Sequence, residues 1–235
     1  MTVPGTFDTS ARELIHAGLQ NLDEARSLFR QLSASGFDAA RCGLLLDALQ
    51  HVCDPDVALR NLVDIVNAQV SQGRALDDIM PDDTAFRQLV AVLGVSDAMG
   101  KLMRFRPDLV QAAATDHCNS HLYNHDQRRA HVLESVGADP NDRMSPTATM
   151  DLADAATALR RTYRNQLAAI IAQDTMSDDP IALQPRISSE LSDLADAALE
   201  GALAIARHEI TGSEHCRFAI IGMGKLGARE LNYVS

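Results

Sequence analysis

Residues 222–227, with the sequence GMGKLG, have the types and spacing of a phosphate-binding turn. The apolar run FAII at 218–221 precedes them and a polar stretch follows, which predicts a strand, a glycine turn and the start of a helix. Such a turn presents backbone N–H groups to phosphate oxygens. Gly222 and Gly224 permit positive φ and a close approach to a ligand, and Lys225 supplies a mobile charge. Gly227 removes a side chain where the helix would pack on the strand. These four residues are candidate nucleotide- or phosphate-binding residues.

Glycine spacing alone leaves other interpretations of this turn open. The same residues fit a tight strand-to-helix turn that binds no ligand. A dinucleotide site would need a βαβ unit and an acidic residue about 20 positions further on, and the chain shows no early βαβ pattern. A Walker A loop would need Ser or Thr after the lysine, where Leu226 stands.

A second candidate site is a cluster of arginines on one predicted helix. Arg160 and Arg164 are four residues apart and share a helical face, and Arg161 lies beside them. Guanidinium groups suit phosphates or an acidic partner because their donors form a planar fork. A solvated helix face explains the same cluster, so both interpretations stay open.

Histidines and cysteines give no metal or catalytic site. His117, His121 and His125 would share a helical face, but residues 117 and 125 lie about 12 Å apart along a helix axis and cannot bind one ion. A polar loop or surface helix is the preferred interpretation. The cysteines lack metal-ligand spacing, and we expect reduced thiols; they are Cys42, Cys53, Cys118 and Cys216.

The residues around the glycine turn resemble one family closely. Over 222–235 the sequence GMGKLGARELNYVS is similar to the signature of glutamine synthetase (glutamate–ammonia ligase) adenylyltransferases, which belong to the polymerase-β-like nucleotidyltransferases. The segments LRRTYR at 159–164 and ELSDLAD at 190–196 also resemble that family, in the same order. Ala228 stands where the family has a second glycine, and residues 1–150 resemble it only loosely.

The resemblance implies an enzyme with two activities on one chain. One half would attach AMP from ATP to a tyrosine of glutamine synthetase, and the other would remove that AMP by phosphorolysis, which regulates nitrogen assimilation. By family order the first signature belongs to the removing half. The implied partners are glutamine synthetase, a PII-type signalling protein and the effector glutamine. The implied nucleotide- or phosphate-binding residues are Gly222, Gly224, Lys225, Gly227 and Ser235.

The resemblance also places the metal ligands beyond this sequence. In the family an Asp-x-Asp pair that holds Mg²⁺ follows the serine, and here it would occupy positions 236 and 238, after Ser235. We therefore expect an N-terminal part of the enzyme that contains no catalytic carboxylates. Alone it should be inactive, because phosphoryl transfer depends on the charge of the metal ions.

Composition favours a helical protein that does not bind nucleic acid. Hydrophobic residues make up 46% and aromatic residues 4%, and there is no Trp; such a composition favours helices over sandwiches or barrels. The net charge of −11 opposes nucleic-acid binding, which depends on Lys and Arg. We expect no secretory signal, since the first residues lack a cationic start and an apolar core. No 18-residue apolar run predicts a membrane span, and we expect a cytoplasmic protein.

Helical periodicity predicts a mainly α fold in three parts. Residues 1–140 form an α-helical lead domain, and a polar segment at 137–146 separates it from a long helical hairpin at 147–211, whose loop is predicted at 177–185. Residues 213–235 would begin a truncated nucleotidyltransferase domain, with the first strand and turn of a polymerase-β-like α/β fold. A capping box at Ser10 and Glu13 opens the chain. Further helices are predicted at 22–34, 38–52, 55–71 and 82–93.

A function without catalysis is the alternative. Residues 1–212 could form a helical module that docks a protein partner, followed by a tail at 213–235. The two hypotheses overlap, since the helical part could bind the substrate protein in either case.

Overall fold

A computed structural model describes residues 9–80, 82–114, 123–177, 179–213 and 216–233. Those residues form helices and connecting segments, with no strand among them, so the mainly α prediction is confirmed. The helices are α1 Ala11–His16, α2 Leu22–Ala34, α3 Ala39–Leu49, α4 Pro55–Ser71, α5 Leu76–Ile79, α6 Asp83–Val95, α7 Asp97–Met103, α8 Pro107–Ala114, α9 His125–Ser135, α10 Leu152–Thr175, α11 Pro180–Glu209 and α12 Gly224–Ala228.

The chain divides into two compact units. The first comprises residues 1–118 together with 171–176, and the second comprises residues 119–170 together with 177–235. Helix α9, which the sequence assigns to the lead domain, groups with the second unit. The three-domain boundaries stay a prediction.

Caps and apolar spacing explain the helices of the first unit. Ser10 and Glu13 form the predicted capping box, in which Glu13 N–H donates to Ser10 Oγ at 3.3 Å and Ser10 N–H donates to Glu13 Oε2 at 2.9 Å. Asp54 caps α4 by accepting from Val57 N–H at 3.0 Å, and Pro55 occupies the first turn, where its missing N–H costs nothing. Helix α4 packs against α2, α6 and α7, and α6 also packs against α3 and α8.

In the second unit, α10 and α11 lie antiparallel and share two apolar clusters. Ile170 belongs to the same cluster as Ile187 and Leu191, whereas Ala155, near the start of α10, clusters with Ala204 near the end of α11. Helix α9 packs against α11. This three-helix arrangement carries the residues that surround the glycine turn.

Several local predictions differ from the structure: the helix predicted at 38–52 ends at Leu49, the helix predicted at 82–93 extends to Val95, and the hairpin loop and the strand also differ. Helix α11 begins at Pro180, so the loop is shorter than predicted, because Asp179 caps the helix through Ala182 N–H at 3.0 Å and Pro180 fits its first turn. Pro185 lies inside the helix, although proline usually interrupts one. Residues 218–221, which are predicted to form a strand, lie in a segment that is neither helix nor strand, without ladder bonds to any described segment; a strand requires a partner for its backbone groups.

Among the described residues, no helix combines the length and the apolar character that crossing a membrane requires.

Candidate functional site: the glycine turn on helix α11

The glycine turn connects a segment without regular secondary structure to the short helix α12. Gly224 has φ +58°, as predicted, whereas Gly222 lies outside the positive-φ region. A Cβ on Gly227 would lie 2.6 Å from the carbonyl oxygen of Gly222, which no real side chain tolerates. Gly227 is therefore needed because the turn folds back on its own backbone, and not, as predicted, because a helix packs on a strand.

The charged residue of the turn faces solvent. Lys225 is exposed and forms no ion pair with any carboxylate of the described ranges. The carbonyl oxygen of Lys225 accepts from Glu230 N–H at 2.8 Å, and Arg229 N–H donates to the Leu226 carbonyl at 3.1 Å. These two hydrogen bonds fix the backbone of residues 229 and 230 to the backbone of Lys225 and Leu226. Ser235, the last predicted binding residue, lies outside the described residues.

One arginine ties the turn to helix α11. Arg229 ends α12 in the left-handed conformation, with φ 59°. Its Nη2 donates to Asp193 Oδ1 at 2.6 Å and to Ser189 Oγ at 2.8 Å, and its Nη1 lies 4.0 Å from Asp196 Oδ2. Leu231, two residues later, packs against the apolar cluster that includes Leu191. The turn is thus held on α11 by a polar and an apolar contact.

The acidic residues beneath the turn form what we call the acidic strip of α11: Glu190, Asp193 and Asp196. They belong to the ELSDLAD segment and recur every third residue, so they follow one side of the helix. Burial raises the pKa of Asp196 above its ordinary value, opposed by Arg229 and reinforced by Asp193. The strip presents negative charge that a cation must balance.

A buried arginine balances the first acid of the strip. Arg128 on α9 donates to Glu190 Oε2 at 2.7 Å and to Gln166 Oε1 at 2.6 Å, and its side chain is 1% exposed. Burial lowers the pKa of Arg128 and raises the pKa of Glu190, in each case against the attraction of the partner. The pair therefore carries a desolvation cost and links α9, α10 and α11.

The remaining two acids form a cluster with a histidine. Ligand atoms of His125, Asp193 and Asp196 lie within 4.8 Å of one another, a combination that metal ions accept. The guanidinium of Arg229 already contacts both carboxylates, so it supplies the positive charge here. His117, His121 and Cys118, the other members of the histidine motif, lie outside the described residues.

A cleft of about 660 Å³ lies against the turn within the second unit. Gly222, Leu226 and Gly227 form one wall, while Leu203 and Arg207 of α11 contribute to another. Arg207 also donates to the Pro146 carbonyl at 3.2 Å. The cleft thus combines backbone of the glycine turn with apolar side chains, with the cationic side chain of Arg207 and with the acidic side chains of Asp196 and Glu200. Apolar walls with a few polar groups are typical of small-molecule sites.

The predicted arginine cluster lies elsewhere on the same unit. Arg160 and Arg161 are exposed and Arg164 is half-buried; none of them lines the cleft. The contact that the structure describes for Arg160 is with Thr157 Oγ1, at 3.4 Å. The structure therefore does not bring the arginine cluster and the glycine turn together.

Sequence reasoning missed the contacts between the strip and its arginines. Arg229 and Asp193 are 36 residues apart and Arg128 and Glu190 are 62 apart, so no local spacing connects them. Part of the signal is local, because ELSDLAD places acidic residues next to the apolar positions of an amphipathic helix. An acid at such a position predicts a buried cationic partner, but not which one.

Comparison with known proteins agrees with the resemblance seen in the sequence. A family model described as glutamate–ammonia ligase adenylyltransferase matches residues 86–235. The chain is 67% identical over 229 residues to a bifunctional glutamine synthetase adenylyltransferase/adenylyl-removing enzyme of Bifidobacterium longum (strain DJO10A), covering 97% of this chain and 21% of that protein. Proteins of the same name from Leifsonia xyli and Cutibacterium acnes are 34% and 31% identical, over 94% and 95% of the chain and 22% of each relative.

The chain thus spans about a fifth of the length of the curated relatives it matches. No solved structure matches it. The family match includes the arginine cluster, the acidic strip and the glycine turn, and it extends over more than half of the sequence. The chain therefore belongs to the glutamate–ammonia ligase adenylyltransferase family.

Proposed function

We propose that this chain is part of an enzyme that attaches AMP to a tyrosine of glutamine synthetase and removes it again. In the first reaction the tyrosine oxygen attacks the α-phosphorus of ATP and pyrophosphate leaves. In the second, inorganic phosphate attacks the same phosphorus, the tyrosine oxygen leaves, and ADP forms. Family membership and the activities named for the relatives support this proposal.

The observation that carries the proposal is the conformation of residues 222–227, which belong to the family signature. They form an exposed glycine turn whose Gly222 and Gly227 line the cleft, and Lys225 beside them has no competing carboxylate among the described residues. We assign nucleotide or phosphate binding to five residues: Gly222, Gly224, Lys225, Gly227 and Ser235. By family order the reaction served by this turn is the removal of AMP.

Magnesium would be held by residues that follow Ser235, since the family pattern places its ligands at positions 236 and 238. The described carboxylate pair nearest the turn, Asp193 and Asp196, already has the guanidinium of Arg229 as its partner, at 2.6 Å from Asp193 and 4.0 Å from Asp196, so we do not assign the magnesium to it. The chain alone is accordingly expected to be inactive, and Mg²⁺ is expected to act in the full-length enzyme.

The test compares the two lysines of the chain. In the full-length enzyme, Lys225→Ala should slow the release of labelled AMP from modified glutamine synthetase by about tenfold or more, because a phosphate loses a charged partner. Lys101→Ala, which removes an exposed lysine paired with Asp97, is the matched control and should leave the rate unchanged. Full activity of the Lys225 variant, or activity of the 235-residue chain alone, would contradict the proposal.

The partners follow from the same proposal. Glutamine synthetase is the protein substrate, a PII-type signalling protein and glutamine regulate the enzyme, and the expected location is the cytoplasm. The net charge of −11 supports a protein substrate over nucleic acid.

A helical docking module is the second candidate, and the arginine cluster favours it. The structure describes no ion pair for Arg160, Arg161 or Arg164, so the cluster is open to an acidic partner. We expect Arg160→Gln with Arg161→Gln in the full-length enzyme to weaken binding to glutamine synthetase without changing kcat. If the 235-residue chain binds glutamine synthetase and nucleotide does not change that binding, docking is favoured over catalysis. If the double variant binds glutamine synthetase as well as the unsubstituted enzyme does, the cluster is a solvated helix face.

A further inference from the structure

The strongest unexplained feature of the molecule is the anchorage of the glycine turn. Arg229 is the one non-glycine residue with positive φ among those the structure describes, a conformation that costs an ordinary side chain about 1 kcal/mol. A charged contact with the acidic strip accompanies that conformation. A left-handed residue is a common way to end a helix, and here the same residue also carries the charged contact that ties the end of α12 to helix α11.

We propose that Arg229 and Asp193 are positioning residues that fix the glycine turn, and with it Lys225, against helix α11. This inference rests on the proposed role of the turn in binding phosphate. It also gives the ELSDLAD segment a physical role, since its central acid receives the arginine.

The direction of the contact is fixed by helix α11. Asp193 is 9% exposed, so its carboxylate cannot turn freely into solvent. Ser189 lies one helical turn before it and accepts from the same nitrogen, Nη2 of Arg229. Two acceptors on one helix face hold a planar guanidinium in one orientation. Leu231 adds apolar contact, which is not directional.

Backbone bonds transmit that orientation to the lysine. The backbone N–H of Arg229 donates a hydrogen bond to the carbonyl of Leu226, and the backbone N–H of Glu230 donates to the carbonyl of Lys225 at 2.8 Å. A displacement of Arg229 therefore moves the backbone from Lys225 onward. Loss of the contact should change where the turn holds phosphate before it changes whether the protein folds.

Hydrogen exchange in the full-length protein tests the anchorage without relying on activity. Arg229→Gln should increase the exchange rate of peptides that cover 225–230 by about tenfold, the loss expected for one charge-assisted hydrogen-bonded pair. Asp193→Asn, which keeps the side-chain shape, should do the same. The control is Arg60→Gln: Arg60 is 45% exposed against 44% for Arg229 and pairs with Glu24 at 3.3 Å, and its loss should leave these peptides unchanged.

Kinetics separate positioning from a merely structural role. Arg229→Gln should raise the KM for inorganic phosphate in the AMP-removing reaction about tenfold and change kcat by less than about threefold. Arg229→Lys should restore KM only in part, because ammonium lacks the planar fork. The double variant with Asp193→Asn should be no worse than either single variant.

The outcomes distinguish the two proposals. Unchanged exchange at 225–230, or additive effects of the two substitutions on KM, would overturn the positioning role. An inactive unsubstituted enzyme would instead overturn the proposed function, and the exchange measurement would still decide whether Arg229 anchors the turn.

Discussion

The buried pair of Arg128 and Glu190 permits a quantitative test of how the second unit is held together. Replacing one member of a buried pair leaves the other charge uncompensated, which costs about 3–5 kcal/mol. Glu190→Leu should reach this range, because Arg128 would keep the neutral Gln166 as its hydrogen-bond partner and would retain only the more distant charge of Asp193. Arg128→Met should cost less, because Arg186, at 3.4 Å and 56% exposed, still pairs with Glu190.

The double variant makes the prediction sharper. Burial disfavours the charged form of both partners, and replacing a whole buried pair with apolar residues of similar volume is often neutral or stabilising by about 1–4 kcal/mol. We therefore expect Arg128→Met with Glu190→Leu to be more stable than Glu190→Leu alone. A loss of about 3 kcal/mol corresponds to a decrease of about 1–3 M in the urea midpoint.

Tyrosine fluorescence is the assay of choice because it reports on the second unit alone. The chain has no Trp, and its three tyrosines, Tyr123, Tyr163 and Tyr233, all lie in the second unit. The control is Arg143→Met, which removes an exposed partner of Asp126 and should change stability by less than about 1 kcal/mol. A double variant as unstable as the sum of the single variants would refute the reasoning.

Two further predictions concern packing and acid stability. Gly201→Ala should destabilise the second unit by about 1 kcal/mol, since its Cβ would lie 2.9 Å from Val132 Cγ1 and the cost of overpacking exceeds the gain in helix propensity. The control is Gly43→Ala, where nothing lies within 4 Å of the added Cβ, and this variant should be slightly more stable. Equal effects of the two substitutions in urea unfolding would contradict this packing. Hydrogen bonds from the backbone N–H groups of Ser145 and Met144 lower the pKa of Asp142 below 3.8, so the native state binds fewer protons than the unfolded state and stability is lost as pH falls through and below that value. Asp142→Asn should reduce this acid loss in thermal unfolding from pH 3 to 7, and an unchanged pH profile would disprove the assignment.

The helices are predicted well from sequence because their signals are local. The helices predicted at 22–34 and 55–71 have those bounds in the structure, since caps such as Asp54 and apolar spacing act within a few residues. The loop predicted before α11 is too long because the prediction treats Pro185 as a residue that interrupts a helix. The local effects of Asp179 and Pro180, which start the helix earlier, prevail.

The surroundings of the glycine turn could not be predicted in the same way. The turn is recognisable from its own residues, and Gly224 has the expected backbone, but Gly227 is required by the carbonyl of Gly222, which only the closed turn reveals. The arginine that anchors the turn binds an acid on another element. Charge pairs between distant segments carry no periodic signal, so sequence shows that the acidic strip needs cations without showing their source.

The acidic strip explains why one helix combines features that usually exclude each other. Helix α11 uses one side to cluster with α10 through Ile187 and Leu191, yet it also buries Glu190 and Asp193. Apolar residues at those positions would cost less desolvation, but they would offer nothing to Arg128 or to Arg229. One of these arginines belongs to α9 and the other ends the glycine turn. The strip therefore joins the helical scaffold to the turn and also fixes where on the helix the turn is held. An apolar contact alone would allow the turn to slide along the helix, whereas a buried carboxylate accepts the guanidinium at one place.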